Sequence, residues 1–525
     1  MNEDKYCPPI INPSDPNTIP KFVDHLQIPE VATPIIPSRG SENKDFYYIT
    51  MEEVYHKFHC CFPETKVWGY DGMYPGPTIE VFKNNPIQVQ WANCLPCKHI
   101  LPVDTTLHGV AHNPQVRTVV HLHGANVKPD SDGNPDAWFT KNYSVTGHAF
   151  TREVYEYPNN QPSTTLWYHD HAISLTRLNV YAGLAGLYII RDSIESKLNL
   201  PKGKYEIPLI IQDKSFNEDG SLFYPAGPEP DPKAPAVTVY PSIIPGFAGN
   251  TILVNGKVWP YLNVEPRKYR FKILNASNTS AYTLNLSNED TFYQIGTDGG
   301  LLDFTKKLKS FILEPAERID LIIDFSKSKG KEIILLNSDS NADENTSMVM
   351  KFKVEKTLKS LDNSCIPNIL DPNKRINQNL ASKIRPLVLT RHTDEYNRPM
   401  FLLNNKMWTD PVTEIVQLNS IEMWDIINPF TRAHPIHVHL VQFKIVCRTP
   451  FDVPYYEETG KIKFTGNPEE PLDFERGFKD TVRVEPGKIT RIIMQFKDYP
   501  GDFVWHCHIL EHEDYDMMRP LRVLE

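Results

Sequence analysis

The chain has 525 residues, more than one hydrophobic core usually serves, so about two to four domains are expected. Its formal charge of −10 argues against nucleic acid as a partner, and no apolar run is long enough to span a bilayer. Proline is abundant, β-formers are frequent and extended helical periodicity is hard to find, so an all-β protein is expected.

In chain order, the opening Met1-Asn2-Glu3-Asp4-Lys5-Tyr6 has neither a basic stretch leading into an apolar one nor a twin arginine. Export by a cleaved signal is therefore not expected. His121-Leu122-His123 lies on a strand-like run, Asp132 follows in the loop Ser131-Asp132-Gly133, and His169-Asp170-His171 repeats the format. The charged segment 192–204 lacks alternation and reads as a linker, as does the polar segment 356–384. Domains are expected at 1–193, 194–356 and 357–525. The last of these carries His434-Pro435-Ile436-His437-Val438-His439 and, near its end, His506-Cys507-His508, His512 and Met517. Of the eight cysteines only Cys507 sits in a ligand pattern. The other seven are expected to be reduced thiols, including those of Cys94-Leu95-Pro96-Cys97, which lies outside any βαβ pattern.

Internal similarity supports three units. Leu253-Val254-Asn255-Gly256-Lys257-Val258-Trp259 echoes Leu402-Leu403-Asn404-Asn405-Lys406-Met407-Trp408, and Val67-Trp68-Gly69-Tyr70-Asp71-Gly72 is a looser copy. Leu313-Glu314-Pro315 leading to Ile322-Ile323-Asp324-Phe325 echoes Val484-Glu485-Pro486 leading to Ile493-Met494-Gln495-Phe496. Each copy reads as short strands separated by Pro, Gly and Asn turns, the pattern of a β-sandwich or Greek-key barrel.

A single His-x-His is weak evidence, since it usually marks only the solvated face of a strand. Four such pairs, one straddling a cysteine, are hard to obtain as a bland surface. If 503–508 is a strand, Cys507 faces one way and His506 and His508 the other, so one strand can serve two metal sites. A thiolate, imidazoles and a thioether form the ligand set of a blue-copper centre, which His434, His512, Cys507 and Met517 can supply. The four His-x-His pairs give eight imidazoles for a second, three-metal cluster. No histidine falls between His171 and His392, so that cluster is expected between the first and third domains.

Together the motifs His-x-His-Gly at 121–124, His-x-His at 169–171, His-Pro-x-His-x-His at 434–439 and His-Cys-His-x-x-x-His-x-x-x-x-Met at 506–517 resemble those of the multicopper oxidases. The likeness runs from about Phe46 to the end and is greatest to spore-coat laccases and bilirubin-oxidase-like proteins. It implies three cupredoxin-like Greek-key β-barrel domains and four coppers. By this resemblance His434, Cys507, His512 and axial Met517 hold type 1 copper. His121 and His437 hold type 2, and His123, His169, His171, His439, His506 and His508 hold the type 3 pair. It also gives Glu513 and Asp132 roles in proton supply. The implied reaction takes single electrons from phenols, aromatic amines or bilirubin-like donors and reduces dioxygen to water. A monomer is expected, made in the cytoplasm and placed in the spore coat among other coat proteins. A Cu(I) or Fe(II) oxidase competes, but the eleven methionines form no cluster. A non-enzymatic scaffold would not need every ligand, and a nitrite reductase would lack the 506–517 signature.

Overall fold

A computed structural model describes residues 11–37, 44–228, 236–372 and 376–525. Among the described residues the sequence's short β-branched and aromatic runs become six sheets, two in each of three consecutive stretches of chain. In the first, Thr65–Tyr70, Asp45–His56, Ile87–Asn93 and Val154–Tyr157 form one sheet, and Gly76–Phe82, Ala185–Arg191, Thr164–Asp170 and Val120–His123 the other. Between the two lies a buried aromatic stack in which Tyr168 meets Tyr70 at 4.9 Å and Trp91 at 5.1 Å between ring centroids.

The other two stretches repeat this connectivity. Each unit has two parallel strand pairs, one per sheet, and the remaining pairs run antiparallel. In one sheet the parallel pairs are Asp45–His56 with Ile87–Asn93, Glu206–Phe216 with Lys268–Asn275, and Lys383–Thr393 with Ile421–Asn428. In the other they are Gly76–Phe82 with Ala185–Arg191, Tyr261–Val264 with Met348–Val354, and Glu414–Gln417 with Met518–Leu524. The all-β, three-unit expectation holds.

The echoed segments fold alike to the level of single hydrogen bonds. Asp71-Gly72, Asn255-Gly256 and Asn404-Asn405 all have positive φ at both central positions, the geometry of a two-residue hairpin turn that favours Asn, Asp and Gly. In each, the first turn residue bonds twice to a neighbouring strand. The backbone N–H of Asp71, Asn255 and Asn404 donates to the carbonyls of Thr50, Ile210 and Val388. Their side-chain oxygens accept the N–H of the same three residues at 2.9, 2.7 and 2.8 Å.

The described parts of both linkers are more ordered than their composition implies; residues 373–375 of the second lie outside the described residues. Within 192–204 a short helix, Ser193–Lys197, is capped by Asp192, and Glu195 is buried against Arg270. Within 356–384 Leu370 is buried beside Leu302 and Ile322 of the middle unit. The polar letters hid these anchors because one or two buried residues are enough to dock a segment.

One cysteine corrects the expectation of reduced thiols: Cys61 is disulfide-bonded. The sulfur of neighbouring Cys60 lies 3.6 Å away, too far for a bond between the two. Cys94 and Cys97 are both free. No helix of the described residues is long and apolar enough to cross a membrane.

Candidate metal centres

Strand register brings the histidines together. In the first unit His121 stands opposite His169, and in the third His437 stands opposite His506. His171, His439 and His508 each follow a strand that ends one residue earlier, at Asp170, Val438 and Cys507. The two units meet so that their ligand nitrogens interleave. His121 with His437 and His439, His123 with His169 and His508, and His171 with His439 and His506 are three buried groups whose ligand atoms lie within 4.8 Å of one another.

Hydrogen bonds decide which nitrogen each ring offers. Nδ1 of His121 donates to the Asp132 carbonyl at 2.6 Å, Nδ1 of His437 to the Asp480 carbonyl at 2.8 Å, and Nδ1 of His439 to Asp132 Oδ2 at 2.7 Å. Nδ1 of His169 donates to the Asp170 carbonyl at 2.8 Å, and Nδ1 of His506 lies 3.0 Å from Glu513 Oε2. The proton is therefore on Nδ1 and the lone pair on Nε2. His123 is reversed: its Nε2 lies 3.1 Å from both Asp480 Oδ1 and Thr481 Oγ1, leaving Nδ1 inward.

The inward nitrogens are crowded and without protons to share. Nε2 of His121 is 3.4 Å from that of His437, and Nε2 of His506 is 3.3 Å from those of both His171 and His439. His123 Nδ1, His169 Nε2 and both nitrogens of His508 are buried without a hydrogen-bond partner among the described residues. Burial, reinforced by neighbouring imidazoles, lowers the pKa of His121, His123, His437, His439 and His508 well below the ordinary value, and that of His169 to about 3. Lone pairs facing one another at such distances repel unless a cation lies among them. This donor set fits metal ions that take neutral imidazole.

On the other side of the Gly501–Cys507 strand, Cys507 points into the apolar core of the third unit. His434 Nδ1 and His512 Nδ1 lie 3.7 and 3.8 Å from its sulfur. His512 is oriented by donating from Nε2 to the Pro245 carbonyl at 2.9 Å and by stacking on Phe401 at 4.3 Å between centroids. Met517 is fully buried in the same apolar cluster as Cys507, whereas Met518 packs in the larger cluster that includes the first unit. Burial raises the Cys507 thiol pKa and lowers those of His434 and His512, the latter to about 4.

Both expected carboxylates touch the imidazole cluster. Asp132 is buried and holds two rings at once, one through its carbonyl and one through its carboxylate. Glu513 lies 3.0 Å from His506 and 3.6 Å from His171. Burial opposes its ionisation, but these imidazoles outweigh it and set its pKa at about 2.

Sequence reasoning missed Asp480, which contacts His123, His437 and Thr481 and pairs with Arg318 of the middle unit. It also missed what Gly124 does. At φ +86°, Gly124 abuts the Asp480–Arg318 pair so closely that a Cβ would collide with both. The glycine of His-x-His-Gly thus keeps three units in contact. The remaining histidines described as buried are engaged elsewhere, His99 with Asn179 and His59 with the Pro20 carbonyl.

Comparison with known proteins agrees with this geometry. The multicopper oxidase family model matches residues 51–195 and 381–525. The chain belongs to the multicopper oxidases, copper oxidoreductases that carry one type 1, one type 2 and two type 3 coppers. Within them it is 51% identical to a laccase of Bacillus subtilis (strain 168), over 97% of this chain and 99% of that one. It is 52% identical to a laccase of Bacillus stratosphericus over 96% and 99%. A crystal structure of a laccase from Pediococcus acidilactici superposes with a TM-score of 0.75 at 27% identity, covering 97% of this chain and 95% of that one.

Proposed function

We propose that this oxidase works as a laccase: aromatic donors each give up one electron and one proton at the His434–Cys507–His512 centre. Four such electrons and four protons convert one dioxygen to two waters. His434, Cys507 and His512 with Met517 would hold type 1 copper, and His121 and His437 type 2. His123, His169 and His508 would hold one type 3 ion, and His171, His439 and His506 the other. When bound, the coppers supply the one-electron steps and store the four equivalents that dioxygen needs.

The observation that carries this reading is the Gly501–Cys507 strand and its continuation. One short segment presents Cys507 to one donor set and His506 and His508 to the other. An electron received at the sulfur is already within a few bonds of the cluster. A cavity of about 480 Å³ opens beside His434 and His512, walled by Phe401 and Phe430, and suits an aromatic ring.

The protein's own groups handle protons and orientation. Asp132 fixes the rings of His121 and His439 so that Nε2 faces inward. Glu513, against His506 and His171, is the group best positioned to pass protons towards reduced oxygen. The test is stopped-flow on Glu513→Leu: anaerobic donor should bleach the blue colour at the normal rate, and reoxidation by oxygen should slow severely. Slowed bleaching with normal reoxidation would show that Glu513 serves donor oxidation instead.

Domains at 1–193, 194–356 and 357–525 and a spore-coat location belong to the same proposal. The location is supported by the likeness to laccases of two Bacillus species. Fractionation of spores with an antibody to this chain tests it.

A further inference from the structure

We infer that the cavity beside His434 and His512 selects aromatic donors that carry a negative charge, a carboxylate or sulfonate set apart from the ring. The inference rests on the laccase reading and names the substrate class for that site.

Two arginines carry the argument. Arg391 and Arg432 both line the cavity, both are exposed, and neither has an ion pair or side-chain hydrogen bond among the described residues. Every other described arginine is engaged with a carboxylate or with backbone carbonyls, as Arg318 is with Asp480 and Arg519 with the Pro411 carbonyl. In a chain with ten excess acidic charges, two guanidinium groups left unmatched among the described residues place a local positive field in one cavity. Arg391 also lies 5.8 Å from the Phe401 ring, the ring that stacks on His512. A donor ring seated against Phe401 would have its charged arm within reach of a planar, bidentate carboxylate binder.

Among the described residues Glu457 is the one acidic group lining the cavity, so two cations face one anion there. The same field disfavours Cu(I) or Fe(II) as donors, which need carboxylates where this cavity has guanidinium groups.

The experiment compares a dimethoxyphenol bearing a propanoate arm with its primary amide. Two methylenes isolate the charge, so the rings are equally easy to oxidise. On the copper-loaded protein at low ionic strength, KM for the acid should be about fivefold below that for the amide, the scale of one partly exposed charge pair. Added salt should narrow the ratio. Arg391→Gln with Arg432→Gln should bring it to about one, and Glu457→Gln should widen it. Calorimetry gives a readout independent of turnover: the fully methylated, non-oxidisable acid should bind about fivefold more weakly to the double variant. Equal KM for acid and amide in the parent protein, or a ratio that the double variant leaves unchanged, overturns the inference while the laccase reading stands. Failure of both phenols to bleach the blue colour overturns the laccase reading and this inference with it.

Discussion

At the scale of single residues, the candidate metal sites were legible because their letters are rare and their spacing is local. His-x-His and His-Cys-His declare their geometry once a strand is assumed, since a two-residue period needs no knowledge of the rest of the chain. Asp480 declared nothing: it is an ordinary Asp in Lys479-Asp480-Thr481, and its partner Arg318 is 162 residues away. The protonation states of the ligands lead to a prediction. His434 and His512 are depressed far enough to be neutral at pH 7, whereas burial keeps the Cys507 thiol protonated until metal arrives. Type 1 copper loading therefore displaces one proton, from sulfur, and its apparent affinity should rise about tenfold per pH unit from pH 5 to 8. Competition with a chelator, followed by the blue absorption, measures it; a flat profile would mean the thiolate is preformed. Asp132→Asn makes a second test. It keeps the backbone carbonyl that holds His121 but weakens the anchor of His439, so cluster copper should bind about 10- to 100-fold more weakly with the blue band unchanged. Metal analysis after dialysis checks both halves.

At the scale of elements, the repeated two-residue turn shows how much a short echo can carry. Sequence similarity picked out the three segments, and the structure gives them one job: the first turn residue locks the hairpin onto a neighbouring strand. Asn255 does most, since its side chain also donates to the Gln27 and Pro208 carbonyls at 2.8 Å. Asn255→Gly keeps the backbone free to adopt positive φ and removes all three side-chain bonds, so it should lower stability by about 1–3 kcal/mol. Chemical denaturation measures the loss, and a change within error would mean water replaces the side chain. The linkers were less legible. Burial of Leu370 or Glu195 depends on what the middle unit offers, which composition does not record.

At the scale of the molecule, the interface among the three units is built from buried ions as well as from the candidate metal ligands. Arg318 of the middle unit pairs with Asp480 of the third beside Gly124 of the first, and Lys479 bridges to Asp298 and Glu317. Arg318→Met would strand the Asp480 carboxylate and should cost about 3–5 kcal/mol. Because Asp480 orients His123 and His437, cluster copper should be lost before the fold is. Pairing Arg318→Met with Asp480→Asn should recover part of the stability without the copper. Unfolding curves with parallel metal analysis would expose the error if stability and copper returned together. Three units could be read from the internal echoes and a shared cluster from the distribution of histidines; the ionic seam could not, because charged residues are common and their partners are remote in sequence.

The short helix Leu510–Glu513 adds a constraint of another kind. Glu511 reaches back to Tyr224, Asn278 and Thr279 of the middle unit. His512 turns to the sulfur of Cys507, Glu513 to His506 and His171, and Asp514 to Arg177 of the first unit. Four successive side chains thus serve four destinations, each about 100° around the axis from the last. One inserted or deleted residue would hand every side chain its neighbour's address, putting a carboxylate at the sulfur and an imidazole among carboxylate partners. Anyone redesigning this oxidase can explore the letters of this turn one at a time, but its length is fixed.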